Sequence, residues 1–192
     1  MTSVKGEQHP LPLSGAAFIT PSETADSAVA EVILPVQTHS SNVAIADGTT
    51  ADFPDTDALI CRRKGVSVGV RTADCVPVLL RADDIGAVAA VHAGWRGTLD
   101  GILTRTLERL REMGADMSRL KAAFGPSICQ ACYEVSPELA DRFIAAGFGD
   151  CVSTPSGGRP HIDLQGVNVR RLLDAGVPEG NIVVSPLCTA HT

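Results

Sequence analysis

The sequence predicts an α+β or mixed α/β domain. Strand-like runs crowd the stretch between residues 31 and 92, and three helical patterns with clear start and stop signals follow them. Two further apolar runs fall between and after the helices, yet no clean βαβ series appears. A length of 192 residues suits one domain. Residues 1–30 read as a loosely structured lead-in and 31–192 as that domain.

In order along the chain, the lead-in is rich in Pro, Ser, Thr, Ala and Gly, with one short strand expected at Ala16–Ile19. EVILPVQTH, at 31–39, alternates enough for a strand, which Pro35 confines to an edge or a bulge. ADGTTADFPDTD, at 46–57, has loop composition. Strands are then expected at Ala58–Cys61, Val66–Val70, Cys75–Leu80 and Ala87–His92, divided by short polar turns. In TLDGILTRTLERLREMG the residues Leu99, Ile102, Leu103, Leu107, Leu110 and Met113 share one helical face, and Gly114 ends it. SPELADRFIAAG places Ser136 as a cap and Pro137 at the first helical position, with Gly147 as the stop. A third helix runs from Asp163 to Gly176, with Pro178 beyond. Leu120–Phe124 and Asn181–Ser185 complete the strands.

Composition narrows the function. The chain carries a net charge of −6, with 44% hydrophobic and 20% charged residues. A phosphate-backbone binder needs a basic footprint, so a nucleic-acid partner is not expected. The N-terminal residues lack an apolar core, and nowhere do about 18 apolar residues run together, so no membrane association is expected. The six cysteines, Cys61, Cys75, Cys129, Cys132, Cys151 and Cys188, therefore read as reduced thiols of a cytoplasmic protein.

His39 in VQTHSSNV, Cys75 in TADC and His92 in VHAGW each fall at the end of an expected strand. They lie 36 and 17 residues apart, unlike the close-set pairs of zinc fingers. Ligands converging from separate strand ends are typical of a site on a rigid scaffold. Two imidazoles and one thiolate suit zinc and leave a fourth position open, where a water would have its pKa lowered to about 7. Singly, a strand histidine or a buried cysteine is more often a packing residue. Their neighbours raise the case. Asp74 precedes Cys75, and an acidic group in an apolar context is costly unless paired. Gly94 and Gly97 flank Trp95 and Arg96 just before a helix expected near Thr98, where backbone N–H groups and a guanidinium form an anion cradle; a tight turn with a packed indole is the plainer account.

Cys129-Gln-Ala-Cys132 has the spacing of a redox pair or half a zinc site. No second cysteine pair completes a four-cysteine site, and the flanks read as loop, so the motif is read as incidental. His9 and His191 are read as solvated, and His161 as a loop residue.

Taken in order, VQTHSSNV, TDALIC, GVSVGVRTADCVPVLL, AVAAVHAGWRGT, FGPSICQACYEV, HIDLQGVNVRRLLDAGV and the final CT resemble the multicopper polyphenol oxidase or "laccase domain" family. That family is also described as zinc-dependent purine nucleoside phosphorylases and adenosine deaminases, with a branch called peptidoglycan editing factor. The resemblance spans roughly 32–189. It implies two mixed sheets between helical layers, an α/β/β/α arrangement, and one zinc per chain on His39, Cys75 and His92. It also implies phosphorolysis of adenosine, inosine, guanosine or methylthioadenosine, and deamination of adenosine. The family's Thr-Arg-x-Gly-Gly-Val-Ser segment is replaced here by FITPSETADSAV, and its paired arginines past the final Cys-Thr have no counterpart in CTAHT. Five histidines with no His-x-His pair argue against a copper laccase.

The resulting expectation is a zinc enzyme whose partners are a purine nucleoside and phosphate, of unspecified oligomeric state. His39, Cys75 and His92 hold the metal, and Asp74 moves a proton or orients a ligand. Gly94, Gly97, Arg96 and Arg71 receive phosphate or developing charge, and Gln37 orients the ribose or His39. Two alternatives stand beside it. One is a cysteine hydrolase or amidase on cell-wall precursors, with Cys75 activated by His92. The other is a zinc-stabilised binding domain without catalysis.

Overall fold

In the computed structural model, residues 32–46 and 52–191 are described. The strands are β1 (Val32–Ile33), β2 (Val43–Ile45), β3 (Ala58–Cys61), β4 (Ser67–Val68), β5 (Val76–Ala82) and β6 (Ala87–Ala93). Helices α1 (Trp95–Asp100) and α2 (Ile102–Glu112) follow, then β7 (Lys121–Phe124) and α3 (Pro137–Ala145). The pair β8 (Val152–Ser153) and β9 (His161–Ile162) precedes α4 (Leu164–Asp174) and β10 (Ile182–Val184).

One mixed sheet organises these elements, in the order β10-β7-β5-β6-β3-β2. Its centre is antiparallel, with β6 between β5 and β3, while β2 joins β3 and β10 joins β7 in parallel at the two edges. β1 with β4, and β8 with β9, form separate two-stranded sheets. The expected mixed-sheet, helix-flanked class is therefore the observed one, with a single large sheet and two small ones among the described residues.

Alternation in the central strands sends side chains to two cores. Ala58 and Ile60, Val76, Val78 and Leu80, and Ala89, Val91 and Ala93 join one cluster with Ile102, Leu103, Leu107 and Leu110 of α2 and Leu164, Val167 and Leu172 of α4. Leu59 and Cys61 point the other way, onto Phe53 and Ala46, with Ile33, Val66 and Val68 packed alongside. Each fully buried Leu or Phe contributes about 1.5–3 kcal/mol, so this two-sided burial fixes the register firmly.

Several expected elements differ. EVILPVQTH yields only the two residues of β1, because Pro35 has no N–H for a ladder. Beyond it the chain turns onto 53–57, where Val36 N–H donates to the Phe53 carbonyl and Thr56 N–H to that of Val36. The strand expected at Val66–Val70 shortens to Ser67–Val68. The helix expected from Thr98 starts at Trp95 and divides in two, since Gly101 takes φ +83°, a left-handed conformation in which glycine caps α1 and opens α2. β2 lies between the expected strand at 31–39 and the expected loop at 46–57, where the sequence pattern marks no element. The caps at Ser136 and Asp163 are present, each side-chain oxygen accepting a backbone N–H in the first turn. Ala16–Ile19 lies outside the described residues.

Candidate active site

The register between β3 and β6 builds the site. Ala58 pairs with Val91, so Asp57 stands opposite His92, and the His92 N–H donates to the Asp57 carbonyl at 2.8 Å. Both side chains emerge on the face away from the helices. Nδ1 of His92 lies 2.6 Å from Oδ1 of Asp57, with Asp57 wholly buried and His92 nearly so. Asp57 also accepts the backbone N–H groups of Thr38, His39 and Ser40 and the Ser40 hydroxyl, at 2.8–3.1 Å. Burial acts to raise its pKa, but the bonds from His92, Ser40 and Thr38 outweigh that and hold the carboxyl below its ordinary value. One carboxylate thus fixes two imidazole-bearing residues: the ring of His92 and the backbone of His39.

That second anchor matters because His39 sits at φ +61°, not at a strand end. A non-glycine residue in the left-handed region stays there only when its surroundings hold it. Its Nε2 lies 3.8 Å from Sγ of Cys75, and its ring meets that of His92 edge-on, with centroids 4.8 Å apart. The ligand atoms of His39, Cys75 and His92 all fall within 4.8 Å of one another. With Nδ1 of His92 engaged by Asp57, its Nε2 is the nitrogen presented to the cluster. Three soft-to-borderline donors at this separation can hold one metal ion. Burial, then the carboxylates of Asp74 and Asp57, push the Cys75 thiol up.

Gly94 closes the site from the end of β6. A Cβ there would stand 2.9 Å from Cδ2 of His39 and 3.0 Å from Sγ of Cys75. At Gly97 a Cβ would lie 2.9 Å from the Ser40 carbonyl oxygen. Both glycines therefore let α1 press against the 39–40 turn. Gly94 caps α1 without a side-chain bond. Arg96 is exposed, with its guanidinium carbon 5.3 Å from the Trp95 ring centroid, and Arg142 approaches the same ring at 5.4 Å.

The remaining expected residues lie farther out in the network. Gln37 exchanges two bonds with the Arg71 backbone, at 2.7 and 2.8 Å, so its amide ties the turn before Cys75 to the turn before His39. Arg71 itself is exposed. Asp74 is exposed too; its Oδ1 accepts from the Thr189 hydroxyl at 2.7 Å, and its carbonyl accepts from Ile128 N–H at 3.0 Å.

Two residues escaped the sequence reading. Asp57 carried the very signal used for Asp74, an acid at the head of an apolar strand in TDALIC. Half-buried Tyr133, in CYEV, has its phenol pushed up to about 12 by burial and by the proximity of Cys75. Nor does Cys129-x-x-Cys132 stand alone. Cys188 and His191 join it in a second four-membered group.

A family model described as "Multi-copper polyphenol oxidoreductase laccase" matches residues 21–192. The chain belongs to that family. Similar proteins include adenosine deaminase RL5 from an unknown prokaryotic organism, 42% identical over 171 residues, covering 83% of this chain and 65% of that one. A purine nucleoside phosphorylase of Deinococcus radiodurans is 41% identical over 149 residues, covering 78% and 58%. Among solved structures, the hypothetical protein YfiH of Bacillus licheniformis superposes with TM-score 0.77 at 29% identity, over 83% of this chain and 64% of its own. The chain thus spans about three-fifths of the length of these relatives. Among the described residues, no helix is long and apolar enough to cross a membrane.

Proposed function

We propose that His39, Cys75 and His92 hold a zinc ion and that the protein uses it to process purine nucleosides, by phosphorolysis or by deamination of adenosine. The observation that carries this reading is the convergence of three possible ligand atoms on one point, with buried Asp57 2.6 Å from Nδ1 of His92, which leaves Nε2 to face the cluster. The names of the two relatives supply the substrate class. Zinc in such a site supplies Lewis acidity at neutral pH. The chain's own residues set the rest. Asp57 fixes ligand orientation, Tyr133 offers a neutral hydroxyl as a donor, and Gly94 permits close approach. Exposed Arg96 and Arg71, on the segments flanking the ligands, receive phosphate.

The copper in the family's description requires more imidazoles than five histidines without a His-x-His pair provide. A cysteine nucleophile is disfavoured by the raised Cys75 thiol, since nucleophilic cysteines are activated in the opposite direction.

The test couples metal content to turnover. Protein purified without affinity metal is loaded with zinc and given adenosine, with and without phosphate, while inosine, adenine and hypoxanthine are followed. Product is expected from the wild type, none from His92→Ala, and about 10–100-fold less from Asp57→Asn. Zinc-replete protein that yields no product overturns the reading and leaves a metal-stabilised binding domain. Nucleoside turnover that survives complete chelation would overturn the role of the metal.

A further inference from the structure

We propose a second metal site, formed by Cys129, Cys132, Cys188 and His191, which takes a thiolate-preferring divalent ion of the zinc class and clamps the turn at 129–132 to the turn at 188–191. Nothing in the nucleoside chemistry requires this group. The four ligand atoms nevertheless lie within 4.8 Å of one another. A tetrahedral zinc with bonds of about 2.3 Å to sulfur spaces its ligands about 3.8 Å apart, so the cluster has the right size. Three sulfurs and one imidazole nitrogen form a closed Cys₃His set, which marks a structural site; among the described residues the His39–Cys75–His92 trio has no fourth protein ligand.

The backbone is arranged for such a clamp. Each half is a ligand-x-x-ligand turn, Cys129-Gln-Ala-Cys132 and Cys188-Thr-Ala-His191, closed by an N–H of the fourth residue donating to the carbonyl of the first, at 3.1 and 3.2 Å. The halves are 59 positions apart in sequence and meet side by side. Ser127 bridges Cys188 in parallel, and Thr189 N–H donates to the Ser127 carbonyl. The Cys129 N–H points at Sγ of Cys188 at 3.3 Å, the kind of bond that orients and steadies a coordinating thiolate. Sγ of Cys132 lies 2.8 Å from Nε2 of His191.

The clamp reaches the first cluster through Asp74. Its carbonyl is held by Ile128, beside Cys129, and its carboxylate by Thr189, beside Cys188. An ion at the second site therefore steadies the residue next to Cys75 without touching substrate.

Counting metal tests the site. The full chain is stripped, loaded with excess zinc, gel-filtered and analysed for zinc per chain, alongside Cys75→Ala and the double variant Cys132→Ser/His191→Ala. Two ions are expected in the wild type and one in each variant. In the cobalt-loaded protein, the sulfur-to-cobalt charge-transfer band should fall by roughly three-quarters in the double variant and by roughly one-quarter in Cys75→Ala, because the sites contribute three and one thiolates. Equal zinc content and an unchanged cobalt band in wild type and double variant would overturn the proposal. A single ion, kept by Cys75→Ala and lost from the double variant, would uphold this site while removing the proposed nucleoside centre. Circular dichroism of the metal-free variants separates lost binding from lost folding.

Discussion

At the residue scale, Asp57 and Gly94 govern the candidate centre as much as its ligands do. The Asp57 carboxylate gathers five hydrogen bonds from four residues, two of which are His39 and His92 of the cluster. Gly94 works by having no side chain. Replacing it with alanine sets a methyl group 2.9 Å from Cδ2 of His39, closer than real contacts come, and crowds Sγ of Cys75 at 3.0 Å. Gly94→Ala should weaken zinc binding by about 1–3 kcal/mol, the usual cost of overpacking, while leaving far-ultraviolet circular dichroism unchanged. Competition titration with a chromogenic chelator checks this, and wild-type affinity in the variant would refute the steric account. The convergent trio His39, Cys75 and His92 was legible in the sequence because His and Cys at the ends of apolar segments are chemically conspicuous. Asp57 was not singled out, because its role depends on which strand lies opposite β3, and a single sequence does not state strand pairing. The left-handed backbone of His39 was hidden for a related reason. It arises from contacts with residues 55–57, not from local propensity.

At the element scale, α1 depends on α4 for its position. The guanidinium of Arg171 donates to the carbonyls of Thr98 and Leu99, at 2.8 and 3.4 Å, and to the Thr104 hydroxyl, at 2.8 Å. These bonds satisfy carbonyls that the break at Gly101 leaves at the end of a short helix. Asn168 adds a bond to the Thr98 hydroxyl at 3.1 Å. Since α1 carries Gly94 at its head and Gly97 against Ser40, this joint also sets the placement of the site. Arg171→Met keeps most of the packing, removes the guanidinium bond to Leu99 O and leaves Thr98 O with only the Gly101 N–H, so it should cost about 1–2 kcal/mol. Urea denaturation would show it as a lowered midpoint with an unchanged slope. Sequence pattern found the apolar face of this helical stretch but joined its two parts, because the hydrophobic period continues across Gly101 and the period alone does not show a change of axis. Short strands such as β2 and β8 escaped for want of a period at all, since two or three residues do not define an alternation.

At the scale of the whole molecule, the described cysteines divide by environment. Cys75 faces the first cluster; Cys129, Cys132 and Cys188 face the second; Cys61 and Cys151 are buried in the cores. Ions that bind only the folded chain raise its stability by mass action. Free zinc at a hundredfold above its dissociation constant should add about 2.7 kcal/mol per site, which for a chain of this size is roughly 5–10 °C in Tm. Thermal melts in zinc and in chelator, compared at equal protein concentration, measure this, and superimposable curves would contradict metal binding at either cluster. The mixed-sheet class was readable from the distribution of strand and helix patterns. Its edges were not, because parallel pairing of β10 with β7 and of β2 with β3 joins segments that carry no mark of adjacency.

The backbone at position 39 also has a meaning for evolutionary drift. Glycine or asparagine would occupy φ +61° with less strain than histidine, and neither carries an imidazole. A lineage released from the chemistry of this cluster would therefore find stabilising replacements one mutation or a few away, with the fold itself favouring the change. Histidine persists at such a position only while selection for its ring nitrogen outweighs that pull. Position 39 thus offers a test by descent: chains that retain the turn but exchange this residue should be those that have abandoned the site.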